Sequence, residues 1–146
     1  MARVFSQEDG NLSVRPIITS RTVSYSDIDL TFAKKTSGEI FKKTDAAAVK
    51  QAVKNLLLTN RAEKPFQPEY GGDLTRFLFD LTGELDEFQI KDIVVNTIVN
   101  YEPRAVPTSV VVNVAPDQNS VDVLVRFQVT NVAEEQELNL TLTRLR

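Results

Sequence analysis

Cysteine, histidine and tryptophan are all missing from the 146 residues, and methionine occurs once. Without a thiol there is no disulfide and no thiolate nucleophile. Without imidazole there is no histidine-based triad. Structural zinc needs one or the other, so it is excluded too. What remains for chemistry is carboxylates, lysine amines, phenols and all-oxygen metal sites. The chain also lacks an excess of positive charge. Seventeen Lys and Arg face 20 Asp and Glu, net −3, and the basic residues are scattered. A phosphate backbone wants a basic surface, so nucleic acid is not an expected partner. No apolar run approaches the roughly 18 residues of a membrane span. The first ten residues, Met1 to Gly10, are polar and carry no leader-like apolar stretch. Hydrophobic content of 42% and charge content of 25% suit one soluble domain with a real core.

Three zones follow one another along the chain. Residues 1–44 are polar and irregular, interrupted by Pro16 and Gly38. They read as an extended N-terminal arm, most plainly over residues 1–24, whose polarity suits a segment that orders on binding. Ile28, Leu30 and Phe32 alternate with Asp27, Asp29 and Thr31, a period of two. With Tyr25 and Phe41 they are expected to tie the arm down.

Residues 45–102 carry helical periodicity. Thr44 or Asp45 is placed to cap a first helix whose apolar face is Ala46, Val49, Val53, Leu56 and Leu57. Lys64-Pro65-Phe66-Gln67-Pro68 stops it, because two prolines three apart favour a stiff extended loop. Gly71-Gly72 permits a sharp turn. Asp73 then caps a second helix with Leu74, Phe77, Leu78 and Leu81 on one side. A third, from about Leu85 to Tyr101, has the stripe Ile90, Ile93, Val94, Ile98 and Tyr101 until Pro103 ends it.

From residue 105 the period becomes two. Val110, Val112 and Val114 form one strand face, and Val121, Val123, Val125, Phe127 and Val129 another. Leu138, Leu140 and Leu142 form a third, with a turn at 116–120 between the first two strands. Helices followed by strands predict an α+β fold: about three helices on one face of a mainly antiparallel sheet, in a domain spanning 25–146. The last strand is expected at a sheet edge, and a free edge accepts a strand from another chain.

Three segments stand in a suggestive order: Ser26-Asp27-Ile28-Asp29-Leu30; then Lys64 to Gly71, followed by Leu78-Phe79; then Tyr101-Glu102-Pro103-Arg104. Together they resemble the gene-product-25-like baseplate wedge family of contractile tails. The resemblance runs from about residue 25 to 146. Lys64, Gln67 and Tyr70 stand where arginine, asparagine and phenylalanine are common. The resemblance implies a structural, non-enzymatic subunit of the virion's tail baseplate, assembled in the host cytoplasm, around the tail tube. It implies six copies, a contact with the core bundle of the other wedge proteins, and strands offered to the first ring of tail sheath protein. The tube or hub is a further candidate neighbour. No cofactor is implied. By this matching Glu102, Pro103 and Arg104 are the wedge contact.

Each candidate has a plainer alternative. Glu102 and Arg104 flank a proline of fixed φ, so Arg104 can fork onto a partner carboxylate or onto Glu102 itself. Pro65, Phe66, Pro68 and Tyr70 form a docking loop, or Phe66 and Tyr70 plug the domain's own core; for Phe66 the plug is favoured. The Leu138, Leu140 and Leu142 strand is a sheath template, an ordinary strand, or both. Asp27 and Asp29 are too few oxygens for calcium and read as local caps or pairs. Two other settings compete: a tail-associated peptidoglycan hydrolase using two of Glu69, Asp73, Glu84 and Glu102, or the equivalent subunit of a type VI secretion system or tailocin.

Overall fold

A computed structural model describes residues 25–79, 87–115, 120–130 and 132–144. The predicted second-zone and third-zone elements are there, with two differences. The chain runs β1 (Ser26–Ile28), β2 (Lys42–Thr44), α1 (Asp45–Leu58), a 3-10 helix (Leu74–Phe79), α2 (Glu87–Tyr101), β3 (Ala105–Ala115), β4 (Ser120–Val129) and β5 (Glu135–Thr143). Residues 1–24, Leu81, Glu84 and Leu85 lie outside the described residues.

The main sheet is an antiparallel meander in the order β3-β4-β5. Its register stacks apolar residues into rows across the strands. Val110 sits opposite Val125, which sits opposite Leu138; Val112, Val123 and Leu140 form the next row; Val114, Val121 and Leu142 the next. Such cross-strand rows are what pin a register, since a slip of one residue would turn every one of them to solvent. The register shifts between Pro107 and Ser109. β3 lies at an edge of the sheet, where a proline is tolerated.

The helices cover the face carrying those rows. Val49, Val53 and Leu57 of α1, Leu74 and Phe77 of the 3-10 helix, and Ile90, Val94 and Ile98 of α2 join the strand residues in one buried cluster. The opposite face is open, with Val106 and Val111 exposed. The architecture is therefore α+β with helices on one side of an antiparallel sheet.

The first difference is the second helix. The expected 3.6-residue spiral is a 3-10 helix, whose three-residue turn places Leu74 and Phe77 inside together. The second is the N-terminal zone. Residues 25–44 form a small hairpin, with β1 paired antiparallel to β2 and a bridge between Lys34 and Ile40. Ile28, Leu30, Phe32 and Phe41 are not anchors: they are 45–60% exposed. A two-stranded ribbon has no layer of its own to bury them against, so the alternation faces solvent. Tyr25 does pack on the core. The rest of the tether is polar. Gln51 of α1, 7% exposed, donates from Nε2 to the Ile28 carbonyl (2.8 Å) and to Asp27 Oδ2 (3.1 Å).

The caps of α1 also differ from expectation. Thr44 holds the N-cap position with no side-chain cap bond. The Asp45 N–H is instead satisfied by the Tyr25 carbonyl at 2.8 Å. At the other end the Gly72 N–H donates to the Leu56 carbonyl at 3.1 Å. A Cβ on Gly71 would lie 2.4 Å from the Thr59 carbonyl oxygen, and one on Gly72 would lie 2.9 Å from that of Leu57. Only glycine lets the chain come back this close.

Candidate functional site

The corner between α2 and β3 is built from charge. The Glu102 N–H completes the last turn of α2 by donating to the Ile98 carbonyl (2.8 Å), and the Ala105 N–H returns to the Glu102 carbonyl (3.0 Å). Pro103 lies exposed at the bend. Arg104 forks back onto Glu102: Nε donates to Oε1 at 2.5 Å and Nη2 to Oε2 at 2.7 Å. The Glu102 side chain is 9% exposed and that of Arg104 37%. The hydrogen bonds that Arg104 donates to Glu102 raise the Arg104 pKa above its ordinary value, against the opposing effect of burial. The guanidinium also lies 5.2 Å from the centre of the Tyr25 ring. The corner therefore fastens the start of the hairpin as well as the helix-to-strand bend. In the isolated chain the bidentate partner of Arg104 is Glu102, not a carboxylate from elsewhere. The exposed rim of the guanidinium and the Pro103 ring are what a neighbour would meet.

The loop after α1 divides in two. Tyr70 turns inward, its ring 5.3 Å from that of Tyr101 in an edge-on contact, with the Lys64 ammonium 3.9 Å from its centre. Burial, then the nearby Glu102 carboxylate, raises the Tyr70 phenol pKa. So Tyr70 belongs to the same neighbourhood as the corner, although 32 residues separate it from Glu102 in sequence. Phe66 does not plug the core; it is fully exposed, at a positive φ of 65°. The turn around it closes through the Gln67 N–H donating to the Lys64 carbonyl at 3.2 Å. Pro65 and Pro68 are exposed beside it. Asn60 and Glu63 brace the loop base, the Asn60 N–H donating to Glu63 Oε2 at 2.8 Å.

β5 closes one side of the sheet. Leu138, Leu140 and Leu142 point to the helices and are 5–7% exposed. β5 pairs only with β4, so among the described residues its outer edge has no strand partner. A groove of about 490 Å³ runs beside that edge, between Leu138-Asn139, α1 and the hairpin.

Residues 43–134 match the family described as baseplate wedge protein gp25. The chain belongs to that family. Baseplate wedge protein gp25 of Enterobacteria phage T4 is 28% identical over 115 residues, covering 77% of this chain and 86% of that one. A chain in the baseplate of the anti-feeding prophage superposes with a TM-score of 0.56 at 15% identity, over 80% of this chain and 83% of its own. A chain described as a putative tail lysozyme from Geobacter sulfurreducens gives 0.58 at 16% identity, over 67% and 89%. At such identities both report a shared fold and nothing about activity.

This wedge protein is thus a structural component of a contractile-tail baseplate. Several of the candidate carboxylates among the described residues are engaged. Glu102 holds Arg104, and Asp73 lies 3.8 Å from Arg76. Glu69 lines a separate polar cleft with Arg61, Asn96 and Tyr101. Asp27 accepts from the Ile28 N–H and from Gln51, while Asp29 accepts from the Thr31 N–H (3.1 Å) and meets Lys43 at 3.3 Å. These two are local caps and pairs. The residue that sequence reasoning missed is Gln51. Its only signal is a long amide between Val49 and Val53, on a helix that buries most of that stretch.

Proposed function

We propose that this wedge protein initiates the tail sheath. Its Glu102-Pro103-Arg104 corner docks on the core bundle formed by other wedge proteins, with Phe66 and the neighbouring prolines as a second contact. Its β5 edge offers a template to the first ring of sheath subunits. Six copies around the tail tube fit this role. The observation that carries the proposal is the outer edge of β5, which has no strand partner among the described residues. Main-chain groups there can give affinity with little demand on side-chain identity. A fully exposed phenylalanine between two prolines fits a rigid aromatic anchor at an interface.

The action is assembly rather than hydrolysis of cell wall. The most buried of the described candidate acids, Glu102, is held at both oxygens by Arg104, so neither oxygen is free to meet a substrate.

The test is hydrogen–deuterium exchange on the full chain, alone and with the purified cognate sheath subunit. Protection gathered on Glu135–Thr143 is expected. Binding that leaves those amides exchanging at the free rate would overturn the template role. A zymogram on cell-wall material should be blank; clearing that disappears in Glu69→Gln would return the chain to the hydrolases.

A further inference from the structure

The groove beside β5 has an unusual electrostatic rim. Its floor is apolar, from Leu30, Ala47 and Leu138, and three lysines, Lys43, Lys50 and Lys54, surround it. The one carboxylate in its lining, Asp29, is already paired with Lys43 at 3.3 Å. Lys50 and Lys54 are one helical turn apart on the exposed side of α1 and have no ion pair among the described residues. Like charges at that spacing repel and weaken a helix. Their repulsion would be relieved by an anionic group held between them.

Strand geometry says where such a group would come from. A strand added to β5 lies about 4.8 Å from it and sends alternate side chains to the two faces of the sheet. On one face those side chains meet the layer that Leu138 faces, which is α1 and the groove. Side chains there pass over the apolar floor and end at the lysine rim. A basic or bulky neutral strand fits this poorly. An acidic side chain of moderate length fits it well, because its stem covers the floor and its carboxylate reaches the ammonium groups.

We propose that the outer edge of β5 selects a strand whose α1-facing side chains are acidic, seated on Lys50 and Lys54. This rests on the sheath-template role above and adds the chemistry by which the template chooses its strand. The long-range attraction of the rim would also speed encounter at low salt.

The test uses the full chain and overlapping peptides that tile the cognate sheath subunit. Peptides retained should carry Asp or Glu at alternate positions, and retention should fall as salt rises through the physiological range. Lys50→Glu should weaken binding of the intact sheath subunit by about tenfold. The same substitution replaces a repulsive pair on α1 by an attractive one, so its Tm should hold or rise, which separates lost binding from lost fold. Lys50→Arg should bind as the native chain does. If the sheath subunit protects β5 but Lys50→Glu binds unchanged, or the retained peptides are neutral or basic, the acidic-strand proposal falls and the template role stands. If the sheath subunit leaves β5 unprotected, both fall together.

Discussion

Glu102 is nearly buried, and that fixes what its partner is worth. A buried carboxylate stripped of its cation pays a desolvation penalty that a surface pair never incurs. Arg104 is about one-third exposed, which screens part of the attraction. Arg104→Ala is therefore expected to lower stability by about 1–3 kcal/mol, below the range for a fully buried pair. Glu102→Gln on top of it should recover part of the loss, because the orphaned charge is gone. A double-mutant cycle on urea midpoints measures this, and simple additivity of the two changes would contradict it. Asp29 supplies a pH dependence. The Thr31 N–H, then Lys43, hold its pKa below the ordinary 3.8. The ionised form is thus favoured in the fold. Its contribution is complete above about pH 4 in the unfolded chain's terms and disappears as pH falls through the lower folded value. Protection of the Thr31 amide, taken relative to its intrinsic exchange rate at each pH, should fall on acidification in the native chain, and Asp29→Asn should abolish that acid step.

At the level of elements, the return of the loop onto α1 hangs on two glycines. Gly71 has a φ of 121°, and a Cβ there would sit within 2.4 Å of the Thr59 oxygen, a backbone atom that cannot swing away. Gly71→Ala should cost roughly 2 kcal/mol or more through backbone strain and the displaced cap of α1. Thermal melts check it, and an unchanged Tm would mean that the loop has another way to close. The turn at Gly71-Gly72 was legible in the sequence as a dipeptide; its contact with α1 was not, because the touching atoms are backbone carbonyls that no residue pattern encodes. The same division holds elsewhere. The strands were legible because one face of the sheet is buried and the other open, which imprints the alternation of Val121 to Val129. Helix α2 was legible from Ile90, Val94 and Ile98. The 3-10 helix is not separable from an α-helix in the sequence, because Leu74 and Phe77 satisfy both a 3.0 and a 3.6 period over so short a span. The hairpin at 26–44 was misjudged because alternation suggests a buried face, whereas this ribbon buries neither of its faces fully and is held by Gln51.

For the molecule as a whole, the candidate site is one neighbourhood that sequence order spread over most of the chain. Tyr25, Tyr70, Glu102 and Arg104 converge through the cation–ring contact and the influence of Glu102 on Tyr70. The motif residues could be named from sequence, but the closure of the pair within the chain depends on packing that only the fold brings about. The same coupling governs β5, whose outer edge has no strand partner among the described residues while its leucines complete the core. Leu138, Leu140 and Leu142 each occupy the end of a cross-strand row. A buried leucine cut to alanine costs about 2–5 kcal/mol. A domain of this size has about 5–15 kcal/mol in total. Removing residues 138–146 deletes all three leucines and exposes Val121, Val123 and Val125 of the central strand. The truncated chain is therefore expected to lose its cooperative melting transition altogether, while Leu140→Ala alone should keep one, with Tm lowered by roughly 5–15 °C. Circular dichroism melts on the two variants decide it. A truncated chain that still melts cooperatively would show β5 to be an appendage that the domain can spare. Loss of the transition would show β5, the strand proposed as the sheath template, to be inseparable from the fold that presents it.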